Sequence, residues 1–335
     1  MTESTATPTG TAVETGTILL ANPRGFCAGV ERAIEIIDRL LEIHDGPVYV
    51  RKEIVHNRDV VQRFQARGVI FVEDVAAVPV GSLLVFSAHG VSPEVRRSAV
   101  ERNLLVIDAT CPLVSKVHFE AIKFANEGRF VILVGHKYHD EVAGTLGEIP
   151  GRIGLVENVE QARVFEVPDP EHVAVVTQTT LSIDDTRAII DTLKARFPAL
   201  VTPSRDDICY ATQNRQEAVK SLAAAAELVL VVGSENSSNS QRLRESAAQA
   251  GTTAYLIDHP DAIDPAWVAG KRTIGVTAGA SSPEHLVQSI LARLQQLGTF
   301  EVRAFGKREP DIIFTPPREL LQLEAQPARS APPRA

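Results

Sequence analysis

The sequence is poor in cysteine: its 335 residues contain only Cys27, Cys111 and Cys209. An odd number of cysteines argues against a disulfide framework, and the absence of close CxxC pairs argues against structural zinc, which normally takes four ligands. A P-loop and a GxGxxG turn after a strand are also missing, so nothing in the sequence indicates a bound nucleoside triphosphate or nicotinamide. Metal binding and catalysis remain as roles for the three thiols.

Long apolar runs, a secretory signal and an excess of basic residues are absent as well. Apolar runs such as residues 228–232 fall far short of the roughly 20 residues that span a bilayer. The first residues, MTESTATPTGTAVETG, have neither the basic nor the apolar region of a signal peptide. A formal net charge of −8 provides no basic surface for nucleic acid. We therefore expect a cytoplasmic protein with no membrane and no nucleic-acid partner.

The three cysteines mark an internal repeat. A short apolar run or turn precedes each of them, and a helical pattern of apolar residues follows. Polar positions come 29, 28 and 28 residues after the cysteines, at His56, His139 and Ser237. Further polar positions follow a second strand in each block, at His89, Thr179 and Ser281. Unrelated cysteines would not share this spacing, so the sequence predicts three copies of one α/β unit.

Strands that alternate with helices predict mainly parallel sheets, which bind ligands in loops at the carboxyl ends of their strands. The expected units are residues 17–110, 111–208 and 209–300. A disordered extension is expected at residues 1–16, and a C-terminal segment at 301–335 that is disordered beyond about residue 317. We expect a pseudo-threefold, trefoil-like arrangement whose loops face a common centre, which would bring the three thiols together.

Three thiols at one point suit an iron–sulfur cluster. Such clusters normally take four cysteines, so three would leave one iron of a [4Fe–4S] cluster open to a substrate oxygen. An open coordination position is typical of catalytic metal sites, and we expect redox catalysis. Two alternatives remain open. One is a non-catalytic iron–sulfur sensor of a phosphorylated metabolite, and the other is a metal-dependent hydrolase that uses His136, His139 and Glu141.

The polar loops predict a bound anion. Six of their residues follow strands, several of them at helix starts, where backbone N–H groups and the helix dipole favour negative charge. These residues are His56, His89, His139, Ser237, Asn239 and Ser281. Because histidine adds charge-assisted donors and Ser and Asn add neutral ones, a phosphate-bearing substrate is expected. Glu141 is the carboxyl group best placed to deliver a proton.

Nine segments carry a family resemblance, in order, over about residues 17–316. They are NPRGFCAGVERAI, HNRDVV, FSAHGVS, DATCPLVSKVH, HKYHDE, TQTTLSIDDT, DDICYATQNRQEAV, VGSENSSNSQRL and TAGASSP. Together they resemble the LytB/IspH family. The resemblance implies 4-hydroxy-3-methylbut-2-enyl diphosphate reductase activity, the last step of the non-mevalonate (MEP/DOXP) isoprenoid pathway, with isopentenyl and dimethylallyl diphosphates as products.

The resemblance also implies a three-lobed α/β fold around a [4Fe–4S] cluster and a role for each matching residue. Cys27, Cys111 and Cys209 match the cluster ligands. His56, His89, His139, Ser237, Ser238, Asn239 and Ser281 match the residues around the substrate and its diphosphate. Thr179 matches the threonine near the substrate hydroxyl, and Glu141 the acid that supplies protons. A reduced ferredoxin or flavodoxin is the implied electron donor.

Overall fold

The computed structural model describes residues 15–325, so most of the expected N-terminal extension and the last ten residues of the chain lie outside the described residues. The strands are β1 (Gly16–Asn22), β2 (Val48–Arg51), β3 (Ile70–Val72), β4 (Leu83–Phe86), β5 (Leu105–Asp108), β6 (Phe130–Val134), β7 (Ile153–Val156), β8 (Val173–Thr177), β9 (Leu228–Val232), β10 (Ala254–Ile257), β11 (Thr273–Ala278) and β12 (Phe300–Gly306).

Helices connect most of these strands. They are α1 (Ala28–Ile43), α2 (Arg58–Ala66), α3 (Pro93–Glu101), α4 (Pro112–Asn126), α5 (Asp140–Glu148), α6 (Val159–Val164), α7 (Ile183–Arg196), α8 (Tyr210–Ala225), α9 (Ser238–Gln249), α10 (Pro265–Val268), α11 (Glu284–Leu297) and α12 (Arg318–Glu324). Among residues 15–325, none of these helices has the length and apolar character that a membrane crossing requires.

The strands form three sheets, and every strand pairing is parallel. The strand orders are β3-β2-β4-β5, β7-β6-β8 and β10-β9-β11-β1-β12. Each sheet has an apolar cluster on each face, as parallel sheets require when helices cover both sides. The expected α/β fold with mainly parallel sheets is confirmed.

Helices that begin soon after the end of a strand define the loops that face the centre of the molecule. The Ser92 side chain caps α3 by accepting a hydrogen bond from the backbone N–H of Val95 at 3.5 Å. Ser182 caps α7 in the same way, with the backbone N–H of Asp185 at 3.2 Å. Because a capped start ends the loop at a defined residue, the short loops that carry His89 and Thr179 have little freedom.

The first strand lies in a different sheet from the one that the expected units imply. Residues 17–110 were expected to form one unit, but β1 pairs with β11 and β12 in the five-stranded sheet. Ile18 and Leu20 pack there among the apolar side chains of β9, β11 and α11. The chain then crosses through α1 to the four-stranded sheet. Burial of the apolar residues of β1 between two neighbouring strands favours this placement.

Residues 318–324 also differ from the expectation of disorder beyond about residue 317. Helix α12 occupies Arg318–Glu324, and Leu320 is fully buried in the cluster that α1 forms with the four-stranded sheet. The Arg39 guanidinium binds both carboxylate oxygens of Glu324, at 2.6 and 2.5 Å. The local composition, rich in Arg, Gln and Ala, does not predict the contact between Arg39 and Glu324, because these residues are about 285 positions apart.

Replacing Leu320 with alanine should lower the free energy of unfolding by about 2–4 kcal/mol, because it removes a buried side chain and leaves a cavity. The neighbouring Leu321 is 42% exposed, so Leu321→Ala is the matched control and should cost less than about 1 kcal/mol. Urea denaturation of both variants measures the difference. Equal, small losses would show that α12 does not hold the C-terminal segment on α1.

Candidate active site

One central cavity is lined by loops from all three sheets. Its lining includes all twelve predicted site residues: Cys27, Cys111, Cys209, His56, His89, His139, Glu141, Thr179, Ser237, Ser238, Asn239 and Ser281. His136, which the hydrolase alternative needs, is not among the lining residues. The geometry therefore brings the expected thiols, imidazoles and hydroxyls to one place and leaves His136 outside it.

Each of the three cysteines is the N-cap residue of a helix. Cys27 precedes α1, Cys111 precedes α4 and Cys209 precedes α8. The partial positive charge at a helix N-terminus favours a thiolate. Thr212 adds a local donor, because its backbone N–H lies 3.4 Å and its hydroxyl 3.2 Å from the Cys209 sulfur. The three helices thus present their positive ends to the same cavity.

Burial opposes this effect of the helices. Burial first, and the neighbouring Cys27 thiol second, raise the pKa of Cys111 to about 12 and that of Cys209 to about 11. Thiolates crowded in a low dielectric need a cation to balance them, and a coordinated thiol is deprotonated outright. The arrangement therefore suits a bound metal better than three free thiols.

The three thiols are spaced too widely for one metal ion bound by all three sulfurs. A Cβ atom on Gly29 would lie 2.7 Å from the Cys111 sulfur and 3.9 Å from the Cys27 sulfur, so only glycine leaves that space open. Within residues 15–325, the one group of possible ligands whose atoms all lie within 4.8 Å of one another is His56, His89 and Asp140. The three sulfurs are not such a group, although Zn–S bonds of about 2.3 Å would require them to be.

Three histidine rings from two units meet in the lining of the cavity. The rings of His56 and His89 stack with centroids 3.9 Å apart, and the His139 ring meets them edge-on at 5.3 and 5.8 Å. Burial lowers the pKa of His89 well below its ordinary value, and the other two rings lower it further. For the same main reason the pKa of His139 falls to about 3. Without an anion beside them, these two imidazoles are neutral.

Hydrogen bonds orient the rings. The carboxylate of Glu53 lies 3.1 Å from Nδ1 of His56 and accepts a bond from Asn236 at 2.7 Å. Since a carboxylate only accepts, Nδ1 of His56 carries a proton and Nε2 is left for a ligand. Nδ1 of His139 accepts from the backbone N–H of Glu141 at 3.2 Å, so in the neutral ring Nε2–H is the donor.

The third sheet contributes neutral hydrogen-bonding groups. Ser237 is the N-cap of α9, and its hydroxyl lies 3.5 Å from that of Ser281. Asn239 accepts from the backbone N–H of Ala280 at 2.8 Å, while its buried side-chain N–H₂ has no protein partner among the described residues. The Thr180 hydroxyl donates to Ser238 at 3.0 Å. A helix N-terminus with an unpaired amide donor is suited to an anion.

Glu141 and Thr179 form a buried pair at the edge of the cavity. The Glu141 carboxyl accepts the Thr179 backbone N–H at 2.7 Å, and its other oxygen lies 3.0 Å from the Thr179 hydroxyl. Burial raises the pKa of Glu141 to about 7, although both contacts with Thr179 oppose this. A carboxyl group with such a pKa is protonated in about half of the molecules at neutral pH and can transfer that proton, as general acid catalysis requires.

Sequence reasoning missed several residues that shape the site. Thr212 follows Cys209 by three positions at a helix start, a capping signal that was available in the sequence. Gly29 also lies in a recognised segment, but its role depends on the position of Cys111. Glu53 had no local signal, because its partner Asn236 is 183 positions away.

Comparisons with known proteins agree on one family. The model of the family described as LytB protein matches residues 18–295. 4-Hydroxy-3-methylbut-2-enyl diphosphate reductase 2 of Burkholderia mallei is 57% identical over 303 residues, which are 90% of this chain and 93% of the relative. The corresponding reductase of Bordetella pertussis is 55% identical over 309 residues, 92% of this chain and 95% of the relative.

Solved structures show the same similarity. The structure of the E-1-hydroxy-2-methyl-but-2-enyl-4-diphosphate reductase of Plasmodium falciparum superimposes with a TM-score of 0.88 at 38% identity, covering 92% of this chain and 98% of that one. A structure of (E)-4-hydroxy-3-methyl-but-2-enyl diphosphate reductase, described as the terminal enzyme of the non-mevalonate pathway, gives 0.61 at 32% identity. That match covers 84% of this chain and all of the other.

The raised pKa of Glu141 should make stability depend on pH. The unfolded carboxyl loses its proton near pH 4.5, whereas the folded one keeps it to about pH 7. The contribution of Glu141 is therefore fully present below pH 4.5 and is lost as the pH rises to about 7, a change of roughly 3 kcal/mol.

Glu141→Gln removes this titration. The unfolding free energy of the wild type minus that of the variant should therefore decrease, or change sign, as the pH rises over that range. Urea denaturation at a series of pH values measures it. Taking the difference cancels the contributions that other buried acids make to the pH dependence of stability. Asp207 is one such acid, because burial also raises its pKa. If the unfolding free energies of wild type and variant change with pH in parallel from pH 4.5 to 7, Glu141 is not the carboxyl group with the raised pKa that the structure indicates.

Proposed function

Because this chain belongs to the LytB protein family, we propose that it acts as a 4-hydroxy-3-methylbut-2-enyl diphosphate reductase. The reaction is the last step of the non-mevalonate pathway: two electrons and two protons convert the allylic alcohol into isopentenyl or dimethylallyl diphosphate and water. One observation carries the proposal for the site. Three thiols, three histidines and a buried carboxyl group with a raised pKa line a single cavity.

Family membership implies an iron–sulfur cluster, and the thiols fit one. We assign a [4Fe–4S] cluster to Cys27, Cys111 and Cys209, with one iron left without a protein ligand. When bound, the cluster supplies electrons singly and a Lewis acid for the substrate oxygen. The chain supplies the rest: space beside Gly29, three helix N-termini towards the thiolates, and a hydrogen bond from Thr212 to the Cys209 sulfur.

The histidines and the third-sheet loop are assigned to the substrate diphosphate. His56, His89 and His139 would donate from one side, and Ser237, Ser238, Asn239 and Ser281 from the other. The free amide of Asn239 and the N-terminus of α9 support this role. Since burial keeps His89 and His139 neutral in the absence of an anion, an incoming diphosphate would raise their pKa values and draw protons into the site.

Glu141 and Thr179 are assigned to proton delivery. A hydroxyl group leaves readily only as water, so a proton must reach its oxygen as the C–O bond breaks. In its protonated form Glu141 donates to the Thr179 hydroxyl 3.0 Å away, and that hydroxyl is then free to donate to the substrate. The second proton is added to either end of the allylic carbon skeleton, which accounts for two products.

The electrons must come from a partner protein, for which we propose a reduced ferredoxin or flavodoxin. Neither a nicotinamide nor a flavin motif occurs in the sequence, so no second cofactor in this chain is indicated as the source. The small-molecule substrate is an allylic diphosphate. We propose the cytoplasm as the location.

Turnover with the proposed substrate tests the function. Anaerobically purified protein, given a dithionite-reduced mediator and 4-hydroxy-3-methylbut-2-enyl diphosphate, should form both product diphosphates. Glu141→Gln should keep cluster and substrate binding but lose at least about 100-fold in kcat, because general acid catalysis contributes on the order of 10²–10⁴.

Asp140→Asn is the matched control, since it removes the neighbouring carboxyl group on the same turn of α5 and should turn over normally. Product analysis and kcat measurement decide between the outcomes. Wild-type protein that binds the substrate without consuming it would be a sensor rather than a reductase. Normal turnover of Glu141→Gln would refute the proton-donor assignment.

The cluster assignment predicts the behaviour of variants around the thiols. Cys27→Ser, Cys111→Ser and Cys209→Ser should each lose the visible absorption of the cluster and most of the iron. Gly29→Ala should do the same, because its Cβ would lie 2.7 Å from the Cys111 sulfur. Ala28→Gly is a control that adds no atoms there. Full absorption and iron content in any one of the serine variants would contradict the ligand assignment.

A further inference from the structure

Three side chains that could bind a metal, none of them a cysteine, lie close together. One ligand atom each from His56, His89 and Asp140 lies within 4.8 Å of the other two. Asp140 is the first residue of α5, and the proposed reaction gives it no task. Its carboxylate is 20% exposed and lies 3.8 Å from Lys52, which also pairs with the exposed Glu73. The Asp140 carboxylate therefore shares Lys52 with Glu73 and does not form a short ion pair with it.

Both histidines have the second contact that metal-ligating histidines usually have. Nδ1 of His56 lies 3.1 Å from the Glu53 carboxylate, and Nδ1 of His89 lies 3.3 Å from the Ser87 hydroxyl. Such contacts hold the ring and its tautomer, and a carboxylate contact also makes the other nitrogen a better ligand. Because these contacts engage Nδ1 of each ring, Nε2 is the nitrogen left to bind a metal.

Two imidazoles and one carboxylate are a donor set with a defined preference. Imidazole suits zinc and its neighbours in the first transition row, whereas magnesium and calcium prefer oxygen ligands. Three protein ligands leave a fourth position for water, as in catalytic zinc sites. With ligand bonds of about 2.0–2.2 Å, atoms within 4.8 Å of one another need only small side-chain rotations to converge.

We propose that His56, His89 and Asp140 form a binding site for a divalent transition metal such as Zn²⁺, and that this metal excludes the substrate diphosphate. The exclusion rests on the proposed function, which assigns the same two imidazoles to the diphosphate. An imidazole nitrogen that donates its lone pair to a metal cannot donate a hydrogen bond to a phosphate oxygen. The metal would thus inhibit the enzyme without touching the thiols.

Calorimetric titration of the cluster-containing protein with Zn²⁺, under anaerobic conditions and without substrate, tests the site. Wild-type protein should bind one equivalent, and Asp140→Asn should bind at least about 100-fold more weakly, because even the loss of an outer contact costs about 10–100-fold. Glu73→Gln is the matched control: it removes the other carboxylate near Lys52 and should bind Zn²⁺ like wild type. Mg²⁺ should not bind.

The visible absorption of the cluster must persist through the titration. Unchanged affinity in Asp140→Asn, equal binding of Mg²⁺, or loss of the cluster absorption with the first equivalent would each overturn the proposal.

Steady-state kinetics tests the exclusion. Zn²⁺ should raise the KM of wild-type enzyme for the substrate and leave kcat unchanged, whereas Asp140→Asn should resist the same Zn²⁺ concentration. Free diphosphates chelate Zn²⁺ equally in both reactions, so the difference between the two enzymes is the readout. A fall in kcat at constant KM would refute exclusion. An enzyme without any turnover in the absence of Zn²⁺ would contradict the proposed function, while the calorimetric result would stand independently.

Discussion

The convergence of three helix N-termini on one buried point is the constraint on which the site depends. Parallel strands end on the same side of each sheet, and in this chain α1, α4 and α8 begin at Cys27, Cys111 and Cys209. The helix dipoles favour thiolates, whereas burial raises the thiol pKa values. A bound iron–sulfur cluster satisfies both conditions, because its positive metal ions compensate the charge that the low dielectric penalises.

The same burial sets the protonation of Glu141 and of two histidines in the cavity. It raises the pKa of Glu141 to about 7 and keeps His89 and His139 neutral, so these three groups carry little charge of their own below that pH. A bound diphosphate would bring negative charge into the cavity, and the histidines would then take up protons. A neutral imidazole is also a metal ligand, which is why one pair of histidines can serve a diphosphate or a transition metal but not both at once.

Repetition made much of this molecule predictable. The regular interval between each cysteine and its polar loop indicated parallel α/β units, because a fixed spacing reflects a repeated strand–helix connection. The nine recognised segments contributed the candidate site residues, and the structure brings all twelve of them to one cavity. Helix caps such as Ser92 and Ser182 are also local features, because a cap acts within one turn of its own helix.

The sequence by itself determined the chemistry of this protein: the number of thiols, the imidazoles and hydroxyls near them, and the acid at Glu141. Only the tertiary structure decided which distant residues meet. It placed β1 beside β11 and β12, anchored α12 through Leu320, and joined Glu53 to Asn236 across 183 positions. It also brought Asp140 to His56 and His89. Such contacts leave no local pattern, because they depend on how the sheets pack together rather than on the spacing of residues along one strand or helix.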